Sequence, residues 1–423
     1  MRLAGVAGGI DLSPARGERL YQAALSAALA CLGFFVLFST AGINIALGVL
    51  LLLCLLRPRR VLERAAWREP VGVIGLVLLA WVAVRTLADS GLSSETFDAV
   101  NRYRELLLLP LLWAILRSVR RPNALVNGLM LGAVVLAAAH WLAPLSPELE
   151  TFLHYRRISG GFGLAVCAFL LFEHARLGRL PPRAGYGLAG FIALTLLFAT
   201  NGRTGHVVLL VLALCAAFRA APPRLRLAVL AATLAAGLMV GFSSGSIRSR
   251  MGETWSEMKA GGSGAQAAPE SRTELLRTGL EVVREHWVLG TGWARYPRVF
   301  SETSVERHEA QGQPGVGGGA VNPHNEYVLQ LGAGGIVGLI LFGLWLAWPM
   351  WRAIRERGSE GPWAGAVGCV SLAFAVSALF NSVLRDFTEA HFYVAVMAWL
   401  LVRRVYRDDR AARTDYELEG AQP

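Results

Sequence analysis

Lysine is all but missing from this sequence: Lys259 is the only one, and the positive charge is otherwise guanidinium. Charge of either sign is scarce, at 17% of residues against about 25% in soluble proteins. The five cysteines, Cys31, Cys54, Cys167, Cys215 and Cys369, form no C-x-x-C pair and no metal-ligand spacing, so disulfides are not expected and each reads as a small apolar residue. The polar loops carry no D-x-D motif and no cluster of His, Cys, Asp and Glu. No metal or cofactor is therefore expected. Two glycine-rich stretches, Gly261 to Gly264 and Gly315 to Gly319, precede no strand and lack the lysine of a phosphate-binding loop, which removes nucleotide binding.

What the chain has is hydrophobicity, 54% of residues and a mean hydropathy of +0.45. This composition implies an all-α polytopic integral membrane protein with a single membrane domain over residues 1–423. A window of about 19 residues finds twelve apolar segments, at 21–39, 42–56, 70–88, 104–117, 124–143, 160–175, 184–200, 205–220, 225–242, 326–349, 362–384 and 390–402. The first two are divided by a turn at Ser39-Thr40-Ala41-Gly42, and 104–117 is short enough to tilt or re-enter. The first follows a modest basic leader without a small-residue cleavage site and reads as a retained signal anchor.

Arginine sets the orientation. With twelve spans, the groups Arg57/Arg59/Arg60/Arg64/Arg68, Arg117/Arg120/Arg121, Arg176/Arg179/Arg183, Arg219/Arg224/Arg226, Arg352/Arg355/Arg357 and Arg403 to Arg413 all fall on one side. By the positive-inside rule that side is the cytoplasm. Both termini are then cytoplasmic, and 243–325 is one long outer loop between the ninth and tenth spans. The net charge of +11 and pI near 10.0 follow from this topology, and nucleic-acid binding is not expected. A smaller set, Arg102, Arg104, Arg156, Arg157, Arg203 and Arg385, lies on the outer side, where the rule disfavours it. A polyanionic substrate explains such placement, because a guanidinium gives phosphate two parallel hydrogen bonds and stays charged. Local ion pairs of Arg102 and Arg104 with Asp98 and Glu105, and of Arg385 with Asp386, are the plainer account for part of the set.

Within the outer loop, Ser271-Arg272-Thr273-Glu274 fits a capping box and precedes Leu276, Leu280, Val283 and Trp287 at helical spacing. An amphipathic helix is predicted over 272–287, ending at the glycines of Leu289-Gly290-Thr291-Gly292, with Arg272 in its first turn as a seat for phosphate. The loop closes on Asn322-Pro323-His324-Asn325. Asparagine and proline there predict an N-cap at Asn322 and place His324 in the first helical turn, where the dipole favours the neutral, proton-accepting imidazole. Glu253, Glu257, Glu274 and Glu326 could orient His324 or act as base in its place. His286, His308 and His391 are scattered and read as structural or surface residues. Beyond His324, Gly332, Gly334, Gly335, Gly338 and Gly343 predict close helix packing or a local unwinding near Gly334-Gly335.

Taken together, His324-Asn325, nine residues, and then Gly335-Ile336-Val337-Gly338 resemble the pattern H-[NSQ]-x9-G-x-x-[GTY] of bacterial O-antigen ligases, and Arg272 to Leu276 resembles their R-x3-L. Asn201-Gly202-Arg203-Thr204-Gly205 is similar to the arginine-bearing helix start of ligases and the related O-antigen polymerases. The resemblance spans about Asn201 to Phe342 and implies a GT-C-like glycosyltransferase. Its implied reaction passes a polysaccharide from undecaprenyl diphosphate to a sugar hydroxyl of lipid A-core, at the outer face of the inner membrane. The implied site has His324 as base and Arg203 and Arg272 on the diphosphate, with Arg156 and Arg157 as further candidates; Asn325, Gly335 and Gly338 are motif residues. A polymerase or an O-linked protein glycosyltransferase would share donor and fold and differ in acceptor. A polysaccharide-lipid transporter would also explain outward arginines, but the sequence has no inverted repeat and no acidic residue deep in a span.

Overall fold

The computed structural model describes residues 14–58, 66–200, 202–243, 252, 271–313, 318–319, 321–355 and 363–402. Among the described residues there are helices and no strands. In chain order they are α1 (Pro14–Phe35), α2 (Thr40–Leu56), α3 (Pro70–Ser90), α4 (Ser94–Asn101), α5 (Glu105–Ser118), α6 (Asn123–Leu142), α7 (Pro147–Tyr155) and α8 (Arg157–Arg176). They continue with α9 (Pro182–Ala199), α10 (Arg203–Ala220), α11 (Arg226–Ser243), α12 (Arg272–His286), α13 (Tyr296–Ala310), α14 (Glu326–Arg355), α15 (Ala364–Ser377) and α16 (Phe387–Val402).

Six of these helices, α3, α6, α8, α9, α10 and α14, are long and apolar enough to cross a bilayer, and α2, α15 and α16 are shorter apolar helices. The chain is therefore a multi-pass membrane protein. Helix α8 forms the centre, flanked by α6, α9, α10 and α15, and most of its length is buried, whereas α9 and α10 turn most of theirs outward. Helices α1 and α6 approach closely because Gly128 and Gly132 of α6 lie against the backbone of Ala30 and Phe34, a contact that only small residues allow. Helix α14 packs on α3 and α15 in the membrane and on α12 outside it.

Three local readings differ from the sequence expectations. Ser39 is the N-cap of α2, its hydroxyl accepting from the Gly42 N–H at 2.9 Å, so Thr40 to Gly42 are the first turn of a helix and the chain reverses just before them. The segment 362–384 is not one helix: α15 stops at Ser377, and 378–386 fold into turns. That stop has a tertiary cause. The carbonyl of Ala378 accepts from the Glu326 N–H at 2.8 Å and the carbonyl of Leu379 accepts from Asn325 Nδ2 at 3.1 Å, so the first donors of α14 satisfy groups just beyond the end of α15. Finally, α12 begins as expected, with the Ser271 hydroxyl accepting from the Glu274 N–H at 3.3 Å, but its packed face is Leu275, Thr278, Gly279 and Val282. The expected stripe lies about one residue away, and Leu280 and Trp287 on it are exposed.

The segment between α11 and α14 is sewn into the helical domain by backbone. Inside α14 the helical hydrogen bonding breaks at Gly335, whose φ is 65°. The turn after α12 fills the gap: Thr291 N–H donates to the Gly332 carbonyl at 2.9 Å, Gly292 N–H to Ala333 at 2.9 Å, and Ile336 N–H to Trp287 at 2.9 Å. From α3, Trp81 Nε1 donates to the Gly334 carbonyl at 2.8 Å, and Arg85 donates to the carbonyls of Leu289 and Gly290 at 2.8 and 2.7 Å. The carbonyls of Gly332, Ala333 and Gly334 and the Ile336 N–H are thus re-bonded inside protein, as a bilayer requires.

A Cβ at Gly335 would collide with the Val288 carbonyl and the backbone there is left-handed, whereas at Gly343 a Cβ meets nothing. Gly335→Ala is expected to destabilise by about 1–3 kcal/mol from the backbone conformation alone, with the collision added. Thermal unfolding in detergent should show a lowered Tm for Gly335→Ala and an unchanged one for Gly343→Ala. Equal Tm values would contradict the role given to the break.

Candidate functional site

His324 stands immediately before α14 rather than in its first turn. Its φ of 47° is left-handed, an uncommon conformation for a residue with a side chain. Two asparagines hold it there. Asn322 Oδ1 accepts from the His324 N–H at 2.8 Å and from the Ser382 hydroxyl at 3.1 Å. The N-cap of α14 is Asn325, whose Oδ1 accepts from the Val328 N–H at 3.1 Å, so the cap expected at Asn322 falls three residues later.

The imidazole is half-buried and is acted on by groups from two other segments. Arg272 comes from the first turn of α12, carried there because Gly279 of the same helix seats directly on Pro323 and Val328. Arg385 and Asn381 come from the turns between α15 and α16. Burial is the largest influence on His324 and lowers its pKa below the ordinary value; the Asn381 side chain, within hydrogen-bonding reach, works the other way, and the Arg272 and Arg385 charges lower it further. The neutral form at neutral pH therefore follows from desolvation and two guanidiniums rather than from a helix dipole. Asn381 Nδ2 donates to Glu389 Oε2 at 3.1 Å, which leaves its carbonyl to receive the imidazole N–H. A buried carboxyl group, an amide and an imidazole are thus neighbours, an arrangement in which an orienting group can hold a base.

The acidic candidates are otherwise occupied. Glu326 is fully buried, and accepts from Gln330 Nε2 at 2.6 Å and from the Leu384 N–H at 3.1 Å. It clamps the 378–386 turns rather than facing a substrate. Glu274 binds Arg277 at 2.7 Å and Arg307 at 3.1 Å, and Arg307 also pairs with Glu281. Burial works to raise its pKa, but these guanidiniums overcome it and hold the carboxylate below the ordinary value; it ties α12 to α13. Glu253 and Glu257 lie outside the described residues, as do Asn201, Gly261 to Gly264 and Gly315 to Gly317. His308 bonds the Ser304 carbonyl of its own helix at 2.7 Å, and His391 bonds that of Phe387 at 2.7 Å and lies 3.2 Å from Glu105. His286 closes α12.

The remaining arginines approach from the other flank. Arg156 ends α7 and acts on Asp386, whose carboxyl burial raises against the opposing N–H groups of Glu389 and Thr388. Arg157 starts α8, and its carbonyl abuts Gly202, just before Arg203 at the start of α10. Arg156 is thus close to the 378–386 turns and Arg157 close to the start of α10, but neither they nor Arg203 are among the groups that act on the imidazole, as Arg272 and Arg385 are. The ion pairs expected for Arg102, Arg104 and Arg385 are not formed among the described residues: Arg104 reaches Asn101 Oδ1 at 3.0 Å and Asn44 Oδ1 at 3.3 Å and covers the Phe387 ring. Asn381 and Glu389 were not singled out in the sequence. They lie more than fifty residues from His324, and no spacing rule links them to it.

Residues 188–343 match a protein-family model described as O-Antigen ligase. No curated protein matches the chain.

Replacing Arg385 by glutamine removes one of two charges opposing protonation of His324, so its pKa should rise. NMR of 13C-labelled histidine in detergent, assigned with His324→Ala, should show the His324 midpoint at higher pH than in wild type. A midpoint that stays put or falls would contradict the arrangement.

Proposed function

From the match of residues 188–343 to the O-antigen ligase family model, we propose that this protein belongs to that family and transfers O-antigen polysaccharide from undecaprenyl diphosphate to a sugar hydroxyl of lipid A-core. The observation that carries the proposal is a neutral-biased imidazole set against the Arg272 and Arg385 guanidiniums. Glycosyl transfer from a diphosphate needs these two functions: fixed positive charge where the leaving group gathers electrons, and a base for a weak nucleophile.

In the proposed reaction the acceptor hydroxyl gives its proton to His324 while its oxygen bonds to the anomeric carbon. The bond from that carbon to the diphosphate oxygen breaks, and its electron pair leaves with the diphosphate. Arg272 and Arg203, with Arg156 and Arg157, are the groups assigned to the diphosphate; guanidiniums can neutralise it without a metal ion. Attack from the side opposite the leaving group inverts the anomeric centre. Asn381, backed by Glu389, would hold the imidazole in the tautomer that presents a free nitrogen to the acceptor. We assign the site to the periplasmic face of the inner membrane and both termini to the cytoplasm. This rests on the arginine-rich connections and on the site's position beside the long loop, with 243–325 as the periplasmic insertion and twelve spans in the membrane. It makes Arg176 and Arg219, at the opposite ends of α8 and α10, cytoplasmic.

The test is a lipopolysaccharide gel from a deletion strain complemented with wild type, His324→Ala or Arg272→Ala. Wild type should restore the ladder. His324→Ala should leave lipid A-core bare and polymer on its lipid carrier, since loss of a general base costs about 10²–10⁴-fold. Core bearing one repeat in the deletion strain would indicate a polymerase instead, and a full ladder with His324→Ala would overturn the proposal.

A further inference from the structure

A cleft of about 180 Å³ opens beside the site, between α4, the turn before α13, and the 378–386 turns. Its lining includes Glu95 and Asp98 of α4, Arg102 and Arg385, and the aromatic residues Trp293 and Tyr296. Four ionised side chains therefore border one small cleft, two of each sign. None of the four makes an ion pair or a side-chain hydrogen bond among the described residues, although Asp98 and Arg102 stand one helical turn apart, where such pairs commonly form. The lining adds unmet polarity: Tyr296 is 1% exposed, yet its hydroxyl has no partner. Buried polar groups are ordinarily satisfied, so the Tyr296 hydroxyl is an open position; Glu95, Asp98 and Arg102 are exposed and Arg385 is half-buried, so the cleft offers charged donors and acceptors to a ligand that can displace their water.

Arg385 joins this cleft to the base, since it lines the one and acts on the other. A ligand bound at Arg385 would thereby share that arginine with His324. Its chemistry is limited by the walls. Carboxylates at Glu95 and Asp98 repel a diphosphate but accept paired hydrogen bonds from neighbouring hydroxyls, and guanidiniums donate to ring and hydroxyl oxygens. The aromatic residues offer an apolar surface to a sugar face. A water occupies ~30 Å³, so the space holds several, the scale of one sugar ring.

We propose that this cleft is the seat of the acceptor's terminal sugar, with Glu95, Asp98 and Arg385 reading its hydroxyls and the carboxylates keeping the donor diphosphate on the Arg272 side of His324. The inference rests on the transfer reaction proposed above and adds where its second substrate binds.

The experiment measures transfer by the full-length protein in detergent, with lipid A-core from a strain lacking O-antigen as acceptor and undecaprenyl diphosphate-linked polymer as donor. For the double variant E95Q/D98N the acceptor KM should rise about tenfold or more, as for loss of charged hydrogen bonds, with donor KM and kcat held. Ala99→Trp, which fills the cleft from its α4 wall, should do the same by exclusion. An unchanged acceptor KM in both variants, a rise in donor KM, or a loss confined to kcat would overturn the assignment. His324→Ala run alongside separates the two readings: if it still transfers, the reaction itself is misassigned, whereas an inactive His324→Ala with an unaffected acceptor KM in the cleft variants removes the cleft alone.

Discussion

Everything around His324 depends on the break in α14. A continuous helix would satisfy its own backbone and leave the segment before it to dock through side chains alone. By giving up helical bonding at Gly335, α14 offers donors and acceptors that the 287–292 turn takes up, and the loop becomes part of the membrane domain's hydrogen-bond network. From that anchor α12 runs back across Pro323 and Val328 on Gly279. Its first turn then carries Arg272 to His324. The motif glycine and the motif histidine are linked mechanically: one fixes the loop that brings a cation to the other.

Electrostatics divide the molecule along its length. At one end of α8 a fully buried carboxylate, Glu173, is neutralised by Arg176 at 2.6 Å and Arg219 at 3.0 Å. This ion cluster is internally compensated, as a buried charge must be. At the other end Arg385 and Arg102 have no carboxylate partner among the described residues, although Asp386 and Asp98 are close in sequence. Positive charge of this kind beside an imidazole whose pKa is lowered is an arrangement typical of functional sites.

Much of the membrane layout was legible, because hydropathy sums over a whole span and tolerates local error. The start of α12 was legible because a capping box is a strictly local signal. Its packed face was not: Gly279 carries no apolar weight, so the pattern pointed to Leu276 and Leu280 while the helix turned its small residue to Pro323. Residues 378–384 continue the apolar run of α15, and only the capture of their carbonyls by Asn325 and Glu326 shows that the helix has ended. That end creates the turns that bear Asn381 and Arg385. At His324, Asn322 and Pro323 carried a helix-start signal, but the asparagine caps a turn and the cap of the helix is Asn325. The histidine and Arg272 were readable from their motif; the groups that tune the histidine come from a third, distant segment and were not.

The central claim is a division of labour in one site: Arg272 grips the diphosphate and His324 serves only as the base. The most direct measurement is the Kd of purified protein in nanodiscs for undecaprenyl diphosphate carrying no sugar. Arg272→Ala should weaken binding about tenfold or more, while His324→Ala binds as wild type does. Wild-type affinity in Arg272→Ala, or lost affinity in His324→Ala alone, would contradict it.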